Sequence, residues 1–130
     1  MANDTWFYEN FEHTGSAIGF RIVRKLDEVQ SPFQNIEIYQ TTDFGNLMVI
    51  DGAMMVTTRE NFFYHEMMSH AAVYTHPAPR NIVIIGGGDC GTLREVLRHP
   101  EVTRAVQCDI DEQVTRMAEK YFPELCESNN

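Results

Sequence analysis

Asn81-Ile82-Val83-Ile84-Ile85-Gly86-Gly87-Gly88-Asp89-Cys90-Gly91 is the stretch that decides the fold. Asn81–Ile85 reads as a buried apolar strand, and a glycine cluster follows it at once. Leu93, Val96 and Leu97 then mark one face of a helix that must stop at His99-Pro100. Ala105-Val106-Gln107-Cys108 reads as a second strand ending at Asp109, and Val114, Met117, Ala118 and Tyr121 mark a second helix closed by Pro123. Strand, glycine turn, helix, strand, helix predicts the opening of a parallel, doubly wound α/β sheet, whose strands are built to be buried on both faces.

Upstream the grammar differs. Residues 1–60 read as a small antiparallel β domain. Phe33-Gln34-Asn35-Ile36-Glu37-Ile38-Tyr39 alternates apolar and polar residues, as a half-buried strand does. Asn46–Ile50 and Ala53–Thr57 flank Asp51-Gly52, a pair suited to the positive φ of a tight hairpin. From Asn61 to Tyr74 the period becomes helical through Phe63, Met67, Ala71 and Tyr74, with Thr57 and Glu60 spaced as a capping box. His76-Pro77-Ala78-Pro79-Arg80 cannot continue a helix and reads as the connection between domains. Residues 61–130 thus hold a linking helix and two βα units.

Gly86, Gly88 and Gly91 satisfy GxGxxG, with a strand before and a helix after. Such a turn brings backbone close to a ligand, and an acidic residue for ribose hydroxyls belongs at the end of the next strand, about twenty positions on. Asp109 stands there. A pyrophosphate on the helix N-terminus would be repelled by Asp89 inside the turn. A carboxylate there suits a cationic nucleoside instead, such as a sulfonium carrying an ammonium tail. Asp89 also has the ordinary role of a helix N-cap open to it, and the two roles are compatible.

Other features carry less. His65 and His70 in Tyr64-His65-Glu66-Met67-Met68-Ser69-His70 do not have the HExxH spacing and point to different helix sides, so no metal site is read here. Taken singly, Tyr64 and His65 are ordinary polar positions at a helix start, and Gln34 an ordinary surface residue. Cys90 has no base spaced to activate it and reads as a small neutral loop residue. The seven methionines read as core filling. With 10 Lys+Arg against 19 Asp+Glu, the net charge of -9 argues against nucleic acid and anionic membrane. Three cysteines without a CxxC pair, no apolar run of membrane-spanning length and no basic-then-apolar leader at the N-terminus predict a cytoplasmic protein.

Taken together, the residues resemble the spermidine synthase (polyamine aminopropyltransferase) family. The resemblance runs through Ser31-Pro32-Phe33-Gln34, Phe44-Gly45, Asp51-Gly52, Tyr64-His65-Glu66-Met67, Gly86-Gly87-Gly88-Asp89, Leu93-Arg94-Glu95-Val96-Leu97-Arg98-His99-Pro100 and Asp109-Ile110-Asp111. It implies a small N-terminal β-sheet domain followed by a Rossmann-like domain of the class I methyltransferase type. It also implies aminopropyl transfer from decarboxylated S-adenosylmethionine, a co-substrate, to putrescine, giving spermidine and methylthioadenosine without prosthetic group or metal.

By the same resemblance Gln34, Gly86, Gly88 and Asp109 bind the nucleoside. Tyr64, His65 and Asp89 line the polyamine side, with Asp89 holding the aminopropyl ammonium. Three departures stand out: Asp109 replaces the family's usual Glu, Cys90-Gly91 its Gly-Gly, and Thr57-Thr58-Arg59-Glu60-Asn61-Phe62 lacks two acids of the usual run. The family is roughly twice this length, since a doubly wound domain needs further strands. The expectation is therefore an N-terminal part whose general-base aspartate lies beyond Asn130, inactive alone, from a homodimeric or homotetrameric parent. The alternatives are an amine methyltransferase using intact S-adenosylmethionine, whose carboxylate Asp89 disfavours, and a non-catalytic binding module.

Overall fold

The chain divides into two compact units, Met1–Arg59 and Glu60–Asn130, and the computed structural model describes residues 5–127. The first unit is a five-stranded antiparallel sheet with its strands in chain order: β1 (Thr5–Phe11), β2 (Ser16–Gln30), β3 (Asn35–Thr41), β4 (Asn46–Ile50) and β5 (Ala53–Thr57). β2 is 15 residues long and serves two partners. Its first half pairs with β1 up to Thr5↔Ile22, and its second half pairs with β3 down to Gln30↔Asn35. Register shifts between Ile22 and Arg24 and between Lys25 and Asp27 lie in the second half, where irregularities of this kind bend and twist a strand.

Phe20, Ile22, Leu47 and Val49 form one core cluster of this unit, with Phe7, Tyr39, Phe44 and Met54 packed around them, while Ile36, Ile38, Met48 and Val56 are also buried. The β4–β5 turn is as expected: Asp51 and Gly52 have φ of 49° and 80°, the two positive values of a type I′ hairpin. Asp51 Oδ1 also accepts the Asn35 N–H at 2.8 Å, which ties the hairpin tip to β3. On the edge strand β1, Trp6 and Tyr8 are exposed and stack with centroids 5.9 Å apart, under the Arg21 guanidinium. Phe7 points to the opposite side, as the two-residue period demands, and joins the core. Gln34 precedes β3 instead of lying on it. Ser31 Oγ accepts the N–H groups of Phe33 and Gln34 and curls Ser31-Pro32-Phe33-Gln34 into a turn.

The second unit comprises α1 (Asn61–Thr75), β6 (Asn81–Ile85), α2 (Gly91–Leu97), β7 (Arg104–Cys108), α3 (Glu112–Tyr121) and α4 (Pro123–Cys126). β6 and β7 pair in parallel from Asn81↔Arg104 to Ile85↔Cys108. The loop at 76–80 joins α1 to β6 within this unit, so it is not the connection between units. A strand of this kind, met here with only part of a doubly wound sheet around it, exposes apolar surface on one face. Ile82 and Ile84 are half-buried, whereas Val83 and Ile85 are 68% and 92% exposed. Among the described residues α2 packs against both strands, and Val83 and Ile85 lie on the exposed side.

α1 differs from expectation twice. Glu60 holds the N-cap position without a side-chain capping bond, and Thr57 ends β5, so there is no capping box. The helix buries His65, Ser69 and Val73, while Phe63, Met67 and Tyr74 of the apolar repeat are 61–79% exposed. Hydrogen bonds stabilise the polar side where it is buried: Ser69 Oγ donates to the His65 carbonyl at 2.9 Å, and His65 reaches Asp89. On α2, Leu97 is likewise exposed and the carboxylate of Glu95 is buried.

Glu95 accepts hydrogen bonds from Arg98 at 2.8 Å and from Arg94 at 3.0 Å, and His70 Nε2 lies 3.4 Å away. Burial pushes its carboxyl pKa up, but the bonds from Arg98 and Arg94 outweigh burial and hold it below the ordinary 4.5. A pKa lower folded than unfolded gives stability that is complete above the unfolded value and is lost as pH falls through the folded one. Glu95→Gln is therefore expected to destabilise the fold at neutral pH by about 1–3 kcal/mol and to flatten the acid side of the stability curve. Urea unfolding midpoints across that pH range measure both effects.

Candidate functional site

The glycine turn between β6 and α2 lies at the carboxyl ends of the two parallel strands, where doubly wound sheets bind ligands. Gly86 and Gly87 have φ of 82° and 72°, which side chains rarely adopt. The Gly86 N–H donates to the Cys108 carbonyl at 2.8 Å and anchors the turn to β7. Gly88 is required for space, since a Cβ there would fall 2.9 Å from Asp109 Oδ2 and 3.1 Å from Val114 Cβ.

Asp109 faces this turn. Its Oδ2 accepts the Gly88 N–H at 2.8 Å and its Oδ1 the Asp111 N–H at 2.9 Å. A carboxylate offers about four lone-pair sites. Each Asp109 oxygen therefore keeps one for a further donor, the arrangement that a vicinal diol matches. Thr115 Oγ1, on α3, donates to the Gly88 carbonyl at 2.7 Å and holds the turn from the other side.

Asp89 is the second carboxylate of the site. Oδ1 accepts the Gly91 N–H at 2.9 Å, the first amide of α2, and Oδ2 accepts His65 Nε2–H at 3.0 Å. Asp89 does this from one residue before the N-cap position, which Cys90 occupies, so it is not the N-cap itself. The bond to Gly91 and a ligand role are compatible, because each oxygen again has a lone pair left. His65 is 1% exposed, so it is no ordinary polar residue at a helix start. Its Nδ1 lies 3.4 Å from Asn61 Oδ1, which accepts from Arg94 at 3.2 Å. Arg94 has only donors, so it fixes which end of the Asn61 amide faces the ring. Tyr64 is 60% exposed, and its ring meets that of His65 edge-on at 5.8 Å.

The structure thus brings His65, Asp89, Gly86, Gly88 and Asp109 into one connected arrangement, with Tyr64 at its exposed border. Gln34 belongs to the first unit and is placed there by its own turn. Sequence reasoning missed Asn61, Arg94 and Thr115 as supports of this arrangement. Single polar residues three or four apart on a helix carry no signal of which partner they meet. Glu66, His70 and Glu95 converge within 4.8 Å, but both Glu95 oxygens are occupied by guanidinium groups, which oppose a bound cation.

Cys90 takes the left-handed conformation with φ of 69°, at the position where the family resemblance has glycine. For a residue with a Cβ this costs roughly 1–2 kcal/mol. Cys90→Gly relieves that cost and adds unfolded-state entropy worth about 0.4–1 kcal/mol. The variant is expected to gain up to about 1 kcal/mol, read as a higher urea midpoint. A lower midpoint would mean that the thiol contacts outweigh the backbone strain.

Comparison with known proteins agrees along nearly the whole chain. The spermidine synthase tetramerisation domain matches residues 5–58, and the spermine/spermidine synthase domain matches residues 61–130. The chain is 76% identical over 129 residues to the polyamine aminopropyltransferase of Xanthomonas axonopodis pv. citri (strain 306), covering 99% of this chain and 45% of that protein. It is 73% identical over 128 residues to the polyamine aminopropyltransferase of Xylella fastidiosa (strain M23), covering 98% of this chain and 45% of that protein. Among solved structures, spermidine synthase in complex with the transition state analogue AdoDATO aligns with a TM-score of 0.90 at 35% identity, over 98% of this chain and 44% of that one. Spermidine synthase from Thermotoga maritima gives the same TM-score and identity, with 45% of its chain covered. The chain spans less than half the length of these relatives. With domain models of one family matching both of its units, the chain belongs to the spermine/spermidine synthase family.

Proposed function

We propose that the whole protein transfers an aminopropyl group from decarboxylated S-adenosylmethionine to putrescine. The observation that carries this reading is Asp89, a carboxylate in the glycine turn, oriented by His65 and by the Gly91 N–H with a lone pair free on each oxygen. A turn of this kind with a carboxylate in it selects a nucleoside whose tail is cationic. In this reading Asp109 and the glycine turn hold the adenosine ribose. Asp89 holds the aminopropyl ammonium, and His65 and Tyr64 border the polyamine side.

The chemistry needed is displacement at the carbon next to a sulfonium. An amine nitrogen attacks that carbon, the C–N bond forms as the C–S bond breaks, and the electron pair moves to sulfur, releasing neutral methylthioadenosine. Aliphatic amines have pKa values near that of lysine, about 10.4, so the attacking nitrogen must first lose a proton to a base. Fixing the donor tail at Asp89 orients the reacting carbon, and orientation is where such a site gains most of its rate.

Self-association through the first unit accords with the description of its domain model, and exposed Trp6 and Tyr8 on the edge strand are the residues we assign to it. No described helix is long and apolar enough to cross a membrane, and the three cysteines are free, which accords with a cytoplasmic setting. The test is incubation of the full-length protein with decarboxylated S-adenosylmethionine and putrescine. Methylthioadenosine and spermidine are expected in equal amounts. Tighter calorimetric binding of intact S-adenosylmethionine than of its decarboxylated form would favour a methyltransferase instead.

A further inference from the structure

Two thiols converge on the glycine turn, and nothing in the proposed reaction uses them. Cys90 lies inside the turn, where its Sγ is 3.6 Å from the Gly88 carbonyl oxygen and 3.8 Å from Gln107 Nε2. Cys126 is the last residue of α4, and its Sγ is 3.9 Å from the carbonyl oxygen of Asp89, the residue next to Cys90. Burial, with Cys90 close by, pushes the Cys126 thiol up to about 12. α4 is held in this place by Leu125 and Phe122, both fully buried, and by Arg94 donating to the Glu124 carbonyl at 3.1 Å. Both cysteines are half-buried, so a small oxidant can reach them, while Cys108 is exposed on β7.

We propose that Cys90 and Cys126 are a redox modification site, which a hydroperoxide converts to an intramolecular disulfide across the glycine turn. In the first step Cys90 sulfur attacks the peroxide, the O–O bond breaks, and a sulfenic acid and an alcohol or water form. In the second, Cys126 sulfur attacks the sulfenic sulfur, the S–O bond breaks, and the departing hydroxyl leaves as water with the Cys126 proton. Two thiols are oxidised by two electrons in all, and one peroxide is reduced. Closing the bond requires the sulfurs to approach to about 2.05 Å, and the Cys126 sulfur already lies 3.9 Å from the carbonyl oxygen of the residue before Cys90. The product would tether α4 to the residue that follows Asp89. Formation of the bond does not depend on the proposed reaction.

The probe is hydrogen peroxide, added to the full-length protein and followed by non-reducing peptide mapping. Expected is a peptide pair linking Cys90 to Cys126, formed at doses that leave most Cys108 unmodified and reversed by dithiothreitol. In Cys126→Ser, checked for folding by circular dichroism, the linked pair disappears and dimedone labels Cys90 as the sulfenic acid. The proposal is overturned if the linked pair is absent at a dose that consumes half of Cys108. It is overturned equally if Cys90 in the folded Cys126→Ser variant resists both oxidation and dimedone.

Discussion

In the full-length protein, Asp89→Asn is expected to lower kcat/KM for aminopropyl transfer about a hundredfold while the fold survives. The substitution separates charge from structure. The amide oxygen of asparagine can still accept the Gly91 N–H that Asp89 Oδ1 accepts at 2.9 Å. Its NH2 would then face His65 Nε2, and two donors cannot meet. The ring resolves this by moving its proton to Nδ1, where Asn61 Oδ1 at 3.4 Å stands ready to accept it. Stability should change by less than about 1 kcal/mol. What is lost is the anion. A hydrogen bond to a charged group is worth about 1.5–3 kcal/mol, and every 1.4 kcal/mol is about tenfold. Methylthioadenosine release, with thermal melting as the folding control, measures the effect. A folded Asp89→Asn enzyme with unchanged kcat/KM would remove Asp89 from the substrate site.

The largest expected effect on stability comes from Gly91→Ala. A Cβ built on Gly91 falls inside the His65 ring, against Cε1, Nδ1 and Nε2. The ring cannot swing away, because it is 1% exposed and tied to Asp89 at 3.0 Å. Overpacking of this kind costs about 1–3 kcal/mol and at times more, which for a domain of this size lowers the melting temperature by roughly 5–15 °C. The cause can be isolated with a double-mutant cycle. If the clash is with His65, the combination Gly91→Ala with His65→Ala should be more stable than the sum of the single losses predicts, since contacting residues couple by about 0.5–3 kcal/mol. Additive losses would show that the glycine is needed for some other reason.

Several of these positions were legible beforehand because their constraints are local. Asp51-Gly52 reads as a hairpin turn from two residues alone, since few pairs accept two positive φ values in succession. Gly86 marks a turn on the same basis, whereas Gly88 is required for space. Asp109 follows from the spacing of one strand–helix–strand unit, which sets where the next strand must end. Other positions were not legible, and α1 is the clearest. Its apolar repeat through Phe63, Met67 and Tyr74 is exposed, and the buried side carries His65 and Ser69. No hydrophobic pattern can announce a face whose burial is stabilised by hydrogen bonds to another element.

By itself, then, the sequence determined the order of β3, β4 and β5 in the first unit and of α1, β6, α2, β7 and α3 in the second, the two tight turns, and the pair of acids flanking α2 and β7. Those features depend on the sign of φ, on side-chain period and on short chain separations, all of which act within a few residues of their cause. Tertiary structure decided which face of each helix is buried, which single donor meets each carboxylate, and which thiols approach each other. His65 with Asp89, Glu95 with its arginines and His70, and Cys126 with the Asp89 carbonyl pair groups from different elements, or groups whose burial depends on them. Their partners are selected when whole elements pack and buried polar groups must find acceptors or donors, a condition set by the assembled interior and not by any one segment.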